Sequence, residues 1–334
     1  MFRRTIIYIV IFIVICLLLP ILITKKEKVV VSKEVINMEN EIVEEKEPAK
    51  YDYKEFNIIK LLHTSTSEIE ELYLDDYMYC VLAAEMPANY EIEALKAQAV
   101  VARTYTIYNI KNVHKHIEAD MCDNPSCCQA FITKEDRFSK WEKENCEYNW
   151  NKIVRAVDET AGKIITYNNE PINAFFHANS GGETEIVSNV WGGADYPYLQ
   201  VVATGGEDAY KQYSSVVSLT KEELVEKLKQ VHPEILINFN EENSIEIMEY
   251  TDSGRIKTIR FGNIELSGVE TRSILGLKSA KFSVNIGEKI VFNVLGYGHG
   301  VGMSQTGADS MAKEGSTYQD IIKHFYSGVE IKNL

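Results

Sequence analysis

Basic residues are in short supply: 35 Lys and Arg stand against 49 Asp and Glu, a formal net charge of −14 over 334 residues. A surface of that sign repels phosphate backbones. This excludes nucleic acid as a partner class and disfavours any anionic polymer unless a local basic cleft receives it. The chain has no internal repeat and no low-complexity tract. No Gly-Lys-Ser/Thr occurs, so there is no P-loop, and no G-x-S-x-G, so there is no nucleophile elbow. Cysteine is sparse, six in all. Only Cys16 lies in the N-terminal apolar stretch, so an odd number remains and these cannot all pair internally.

What is present begins with that stretch. Ile6 to Thr24 is almost unbroken in apolar residues, with Arg3 and Arg4 before it and Lys25 and Lys26 after. Its length suits a bilayer-spanning helix. It ends Leu-Ile-Thr-Lys-Lys, without an A-x-A-like cleavage site, which favours an uncleaved anchor over a signal peptide. The expected organisation is a cytoplasmic tail (1–5), a transmembrane anchor (6–24), a charged Glu-rich tether (25–55) and one extracytoplasmic domain (56–334) of up to two lobes. A hydrophobic content of 45% is enough for a large core.

The domain is organised around Ala83–Tyr105, AAEMPANYEIEALKAQAVVARTY. Pro87 biases Met86 away from helical angles, so a helix should end at Glu85. Apolar neighbours and the negative pole of that helix both disfavour an ionised carboxylate there, and the pKa of Glu85 should rise. A carboxylic acid kept protonated near neutrality is what general-acid chemistry requires. The ordinary alternative is a surface ion pair, worth roughly 0–1 kcal/mol. A second helix runs from Glu91 to about Ile110. Its apolar residues at three- and four-residue spacing predict a buried position. Lys96 and Arg103 share a face of it, two turns apart, and are expected to point toward Glu85.

Elsewhere, Glu68–Ala84 shows helical spacing of Ile69, Leu72, Tyr73, Tyr77 and Cys80. Lys163–Tyr167 and Ile172–His177 read as a hairpin, Thr220–Glu223 is a capping box, and short strands follow from Ile245 to Leu295. Closing helices are expected at Ser304–Ala312 and Tyr318–Tyr326. Helices and strands do not alternate strictly, so the fold class is α+β, mixed helices with short antiparallel strands.

The polar loop from His114 to Cys146 holds Cys122, Cys127, Cys128 and Cys146. His116-x5-Cys122-x5-Cys128 places one imidazole and two thiolates within reach of one tetrahedral ion, with Cys127 and Cys146 as alternative ligands. A structural zinc is the favoured reading; disulfides in an oxidising compartment, or free thiols, are the alternatives. Catalysis by Glu85 needs no cofactor.

Two Gly-rich stretches remain. Gly296–Gln305 superficially resembles a dinucleotide fingerprint, but no acidic ribose partner follows in a βαβ unit. His299, Ser304 and Gln305 are candidate hydrogen-bonding groups for a ligand that the glycines let approach the backbone; a tight turn before the last helices is the alternative. Ser180 and Gly181 are candidate cleft lining, and Trp191 and Tyr198 either stack on a ligand or belong to the core.

Three stretches, AAEMP…EALKAQAVVARTY, HANSGGETEIVSNVWGG and GYGHGVGMSQTGA, resemble in the same order the SpoIID/LytB family of sporulation and cell-wall proteins. The resemblance implies a membrane-anchored lytic transglycosylase that cuts peptidoglycan glycan strands during engulfment in endospore formation. Its catalytic acid is the Glu of the EMP motif, here Glu85. It implies denuded glycan as substrate, the amidase SpoIIP and the membrane protein SpoIIM as partners, and the septal or engulfing membrane as location. Two alternatives stay open. One is a zinc-dependent hydrolase using the Cys/His loop. The other is a non-enzymatic glycan-binding or amidase-activating module.

Overall fold

The helix Ile92–Asn112 is apolar or small on almost every side, and 14 of its 21 residues are buried. A helix of that composition can only be an internal strut, and the rest of the fold packs round it. The computed structural model describes residues 51–334. The expected tail (1–5), anchor (6–24) and most of the tether (25–55) lie outside the described residues. No described helix is long and apolar enough to cross a membrane.

The architecture is α+β, as expected. Against the central helix pack Leu74–Glu85, Cys146–Asp158, Gln305–Lys313 and Tyr318–Phe325, together with the strand Lys163–Tyr167. This first hydrophobic core includes Leu82, Leu95, Val100, Ile153, Ile165, Met303 and Phe325. Tyr53, assigned above to the tether, already belongs to it: it is buried and its hydroxyl donates to Asp75 Oδ2 at 2.8 Å.

A second core is built on two three-stranded sheets. One joins Lys281–Ile286, Ile290–Leu295 and Ser214–Leu219; the other joins Ile245–Tyr250, Ile256–Phe261 and Ile264–Ser267. Leu224, Ile259, Phe261, Ile290 and Phe292 fill it. The capping box at Thr220 is present, with Thr220 and Glu223 bonding reciprocally at the start of Lys221–Lys229.

Three expectations need correction. Glu68–Tyr73 is a strand, antiparallel to Ile58–His63, and the helix starts only at Leu74. Four of its residues are exposed, so the i, i+3, i+4 pattern of Ile69, Leu72 and Tyr73 reported no buried helical face. Lys163–Tyr167 turns through Asn168 and Asn169, both at positive φ, into the short strand Glu170–Pro171, and on its other edge it pairs with Glu330–Asn333. Phe176–His177 instead runs parallel to Met303–Ser304, a pairing between distant segments that local pattern cannot report. The helix Gly268–Leu275 was not anticipated; Ser267 caps it by accepting from Glu270 N.

Lys96 and Arg103 do share a face, but it is not turned to Glu85. Arg103 is fully buried, and its guanidinium donates to the carbonyls of Thr160 (2.9 Å), Lys163 (3.2 Å) and Val157 (3.3 Å). Asp75 lies 3.9 Å away as counter-charge. Arg103 therefore ties the end of Cys146–Asp158 to the strand that follows. Lys96 pairs with Glu93 at 2.8 Å and Glu159 at 2.5 Å. Arg103→Ala should lower unfolding stability by about 3 kcal/mol or more, because it strands a buried carboxylate and three carbonyls. Lys96→Ala should cost less than about 1 kcal/mol. Urea titration of the two variants checks the contrast.

Candidate active site

Glu85 is the last residue of its helix; Met86 is extended at φ −120° and ψ 142°, as the following proline requires. The side chain is half-buried, and Oε1 accepts from the Ala130 amide at 2.6 Å. Burial raises the carboxyl pKa to about 7, even though hydrogen bonds from Ala130 N and the Gln305 side chain pull the other way. Desolvation thus decides the shift, and the group is poised to give or take a proton near neutrality.

Ala130 reaches Glu85 because of the loop before it. Gln129 is buried, and its Nε2 donates to Tyr77 Oη at 3.0 Å and Thr106 Oγ1 at 2.9 Å. Directly upstream, His116, Cys122, Cys127 and Cys128 gather, their ligand atoms all within 4.8 Å of one another. His116 Nε2 is 3.6 Å from Cys128 Sγ and 3.8 Å from Cys127 Sγ; the two sulfurs are 3.9 Å apart. Thiolates about 2.3 Å from a tetrahedral ion are separated by roughly 3.7 Å, so the cluster fits zinc with little movement. A disulfide needs sulfurs about 2.05 Å apart. Of the two alternative ligands, Cys127 joins the cluster. Cys146 does not: its thiol faces the carbonyls of Phe138 and Glu142. Lys115 braces the same loop, bonding Tyr105 Oη at 3.1 Å and the Cys127 carbonyl.

The two Gly-rich stretches meet at a carboxylate that sequence reasoning missed, Glu207. It is buried and accepts from the amides of Ser180 and Gly182, both at 3.0 Å. It also accepts from the hydroxyls of Ser180 (2.5 Å), Thr204 (2.6 Å), Thr306 (3.0 Å) and Ser304. Burial pushes its pKa up, but the donors from Ser180, Ser304 and Thr204 outweigh burial and hold it below the usual value. Ser304 and Thr306 flank Gln305, so the Glu207 carboxylate fixes the segment that presents Gln305 to Glu85. Gly181, at φ +70°, could carry no side chain: a Cβ would sit 3.0 Å from the Leu295 carbonyl carbon.

Of the proposed substrate-contacting residues, only Gln305 therefore meets Glu85. Ser180, Gly181 and Ser304 are buried in the Glu207 network. His299 is occupied by backbone, its Nδ1 accepting from Val301 N at 3.1 Å and its ring also bonding the Phe176 carbonyl. Burial keeps it neutral, well below the ordinary histidine value. Trp191 is 51% exposed, with its ring 4.7 Å from Phe175 and 4.9 Å from His299. Tyr198 is buried core. Nothing local distinguishes Glu207 among 49 acidic residues. Gln129 and Ala130 follow the Cys pair directly, and that adjacency was the available signal.

An α+β domain with a desolvated carboxylic acid at a helix end, braced by a Cys/His loop and a Gly-rich turn, defines the class. A family model, stage II sporulation protein (SpoIID), matches residues 63–167. The chain is 35% identical to stage II sporulation protein D of Bacillus subtilis (strain 168) over 82% of this chain and 78% of that protein. It is 32% identical to the protein of that name from Bacillus amyloliquefaciens over the same shares. It is 29% identical to the amidase enhancer of B. subtilis, over 75% of this chain and 39% of that protein. The chain belongs to the SpoIID family of sporulation proteins.

Carbon-13 NMR of the Glu85 carboxyl should show a titration midpoint near 7. Gln305→Ala removes a hydrogen bond that favours the ionised form, so the midpoint should move further up; a downward move would contradict the geometry.

Proposed function

We propose that the protein is a membrane-anchored peptidoglycan lytic transglycosylase that cuts MurNAc–GlcNAc bonds of denuded glycan during engulfment. One observation carries the reading: Glu85 is a partly desolvated carboxylic acid with pKa about 7, held by Ala130 N and Gln305. Hydrolytic glycosidases use two carboxyl groups. An intramolecular route needs one. Glu85 protonates the glycosidic oxygen as the C1–O bond breaks. The muramic C6 hydroxyl then closes on C1, and its proton returns to the Glu85 carboxylate. The product is a 1,6-anhydro end, and no water is consumed. Gln305 and Ala130 N hold the carboxyl in place through both transfers.

The Cys/His loop is proposed to hold zinc through His116, Cys122, Cys127 and Cys128. Four protein ligands close the coordination shell, as in structural sites. The ion would fold the loop that delivers Ala130 N, and would carry no step of the reaction. An anchor at 6–24, an extracytoplasmic domain, and partnership with an amidase (SpoIIP) and a membrane protein (SpoIIM) complete the proposal. Similarity to an amidase enhancer favours one second reading, a non-enzymatic glycan-binding activator.

Denuded glycan digested with the protein should yield 1,6-anhydro-muramic ends by mass spectrometry, and Glu85→Gln should release none while melting like the wild type. Glycan binding without product would select the activator reading instead. Activity should fall as pH rises through about 7, because the acid form of Glu85 is lost.

Elemental analysis should find one zinc per chain. Cys128→Ser should lower that content and the melting temperature together, whereas an unchanged melting temperature on full metal removal would refute the scaffold role.

A further inference from the structure

Gln98, in the middle of the central helix, is 0% exposed, and neither its Nε2 nor its Oε1 has a hydrogen-bond partner among the described residues. The other buried polar side chains of that helix all reach a carbonyl: Arg103 that of Thr160, Thr104 that of Val100, Thr106 that of Ala102 and Asn109 that of Tyr105. An amide buried with both ends unpaired is costly, and folded interiors avoid it. Something without a place in the chain must therefore take its bonds, and the position of Gln98 limits what that is.

Two independent measures put it beside the acid. The helices Leu74–Glu85 and Ile92–Asn112 are joined by the short connection Met86–Glu91 and pack antiparallel. Gln129 bonds Tyr77 of one and Thr106 of the other. Tyr77 lies eight residues before Glu85, and Gln98 lies eight before Thr106. At 1.5 Å per residue, Glu85 and Gln98 both stand about 12 Å from that crossing point, at one level. The second measure runs along the helix face. Gln98 shares a face with Tyr105, seven residues on. The Tyr105 ring is 6.4 Å from that of Phe176, which pairs with Met303, while Asp309 Oδ1 accepts from Glu91 N at 2.6 Å. The segment Met303–Asp309 thus follows that face from Tyr105 to Glu91. It passes Gln98 about midway, where Gln305 turns to bond Glu85. Full burial shuts Gln98 off from a polymer. What fits inside a folded chain and can meet both a donor and an acceptor is water.

We propose that Gln98 is a positioning residue, which binds ordered water against the Glu85 carboxyl from the interior side. This rests on the reading of Glu85 as the acid. A water held by Nε2 accepts through its oxygen and keeps both hydrogens free. A water held by Oε1 uses one hydrogen and keeps the other. Either end of the amide therefore leaves a hydrogen for Glu85. Between the two proton transfers Glu85 is a carboxylate in a site with little solvent. The water hydrogen stabilises that carboxylate and holds its orientation, with Ala130 N and Gln305 as the other donors.

A high-resolution crystal structure should show ordered water within hydrogen-bond distance of both Gln98 and Glu85; an amide bonded to protein alone overturns the proposal. Gln98→Met keeps the volume and removes the amide. No protein group loses a partner, so this variant should melt close to the wild type. The carbon-13 midpoint of Glu85 should rise by roughly 0.5–1 unit, the scale of one hydrogen bond to the ionised form. The falling limb of the pH–activity profile should move up with it, because the acid form persists to higher pH. On denuded glycan kcat should fall about tenfold with KM unchanged, as for a group that acts on the reacting state alone. Gln98→Glu sets a second carboxyl on the same water, and the Glu85 curve should spread into two steps. A Glu85 midpoint unmoved in both variants assigns Gln98 to the framework and overturns the proposal, whatever the melting temperatures. A wild type that releases no anhydro ends overturns the lytic reading alone, because the water and the midpoints are read without turnover.

Discussion

The hydrogen bond from the Ala130 amide to Glu85 is the contact on which the site turns. It joins a helix end to the loop that follows the Cys/His cluster, and Gln305 closes the same carboxyl from a third segment. Three stretches far apart in the chain thus converge on one acid. Their convergence removes water from around it, and the loss of water is what lifts its proton affinity to the neutral range. Two donors alone would have held it ionised; desolvation exceeds them.

Around that point the protein uses buried charge as a joint. Arg103 ties the central helix to the end of Cys146–Asp158 and to the strand behind it. Glu207 ties the two Gly-rich stretches to each other and fixes the residues flanking Gln305. Each is almost fully satisfied, which is the condition under which a buried charge specifies an arrangement. Both are scaffolding, and neither touches the acid.

Much of the helix and strand content was readable locally. Pro87 after a long apolar run located the end of the Glu85 helix, and the dense small-apolar pattern located the central helix within two residues of its end. The Thr220 capping box was readable for the same reason, since its bonds are made within one turn. Phe176–His177 was misread because it pairs with Met303–Ser304 across more than a hundred residues. Glu68–Tyr73 was misread for a different reason: its hairpin partner Ile58–His63 is only four residues away, but its apolar residues happen to fall at helical spacing on a largely exposed strand.

The residues of the sequence by themselves determined the acid, its place at a helix end, the direction of its pKa shift, and a Cys/His set able to hold a metal. These depend on neighbours within a few positions. Only the tertiary structure decided which groups touch the acid. It replaced Lys96 and Arg103 with Ala130 N and Gln305, chose Cys127 over Cys146, and withdrew Ser180, Ser304 and His299 into internal bonds. The reason is that a cation or hydroxyl goes to whichever acceptor the fold buries beside it, and spacing along one helix shows a shared face without showing what that face meets.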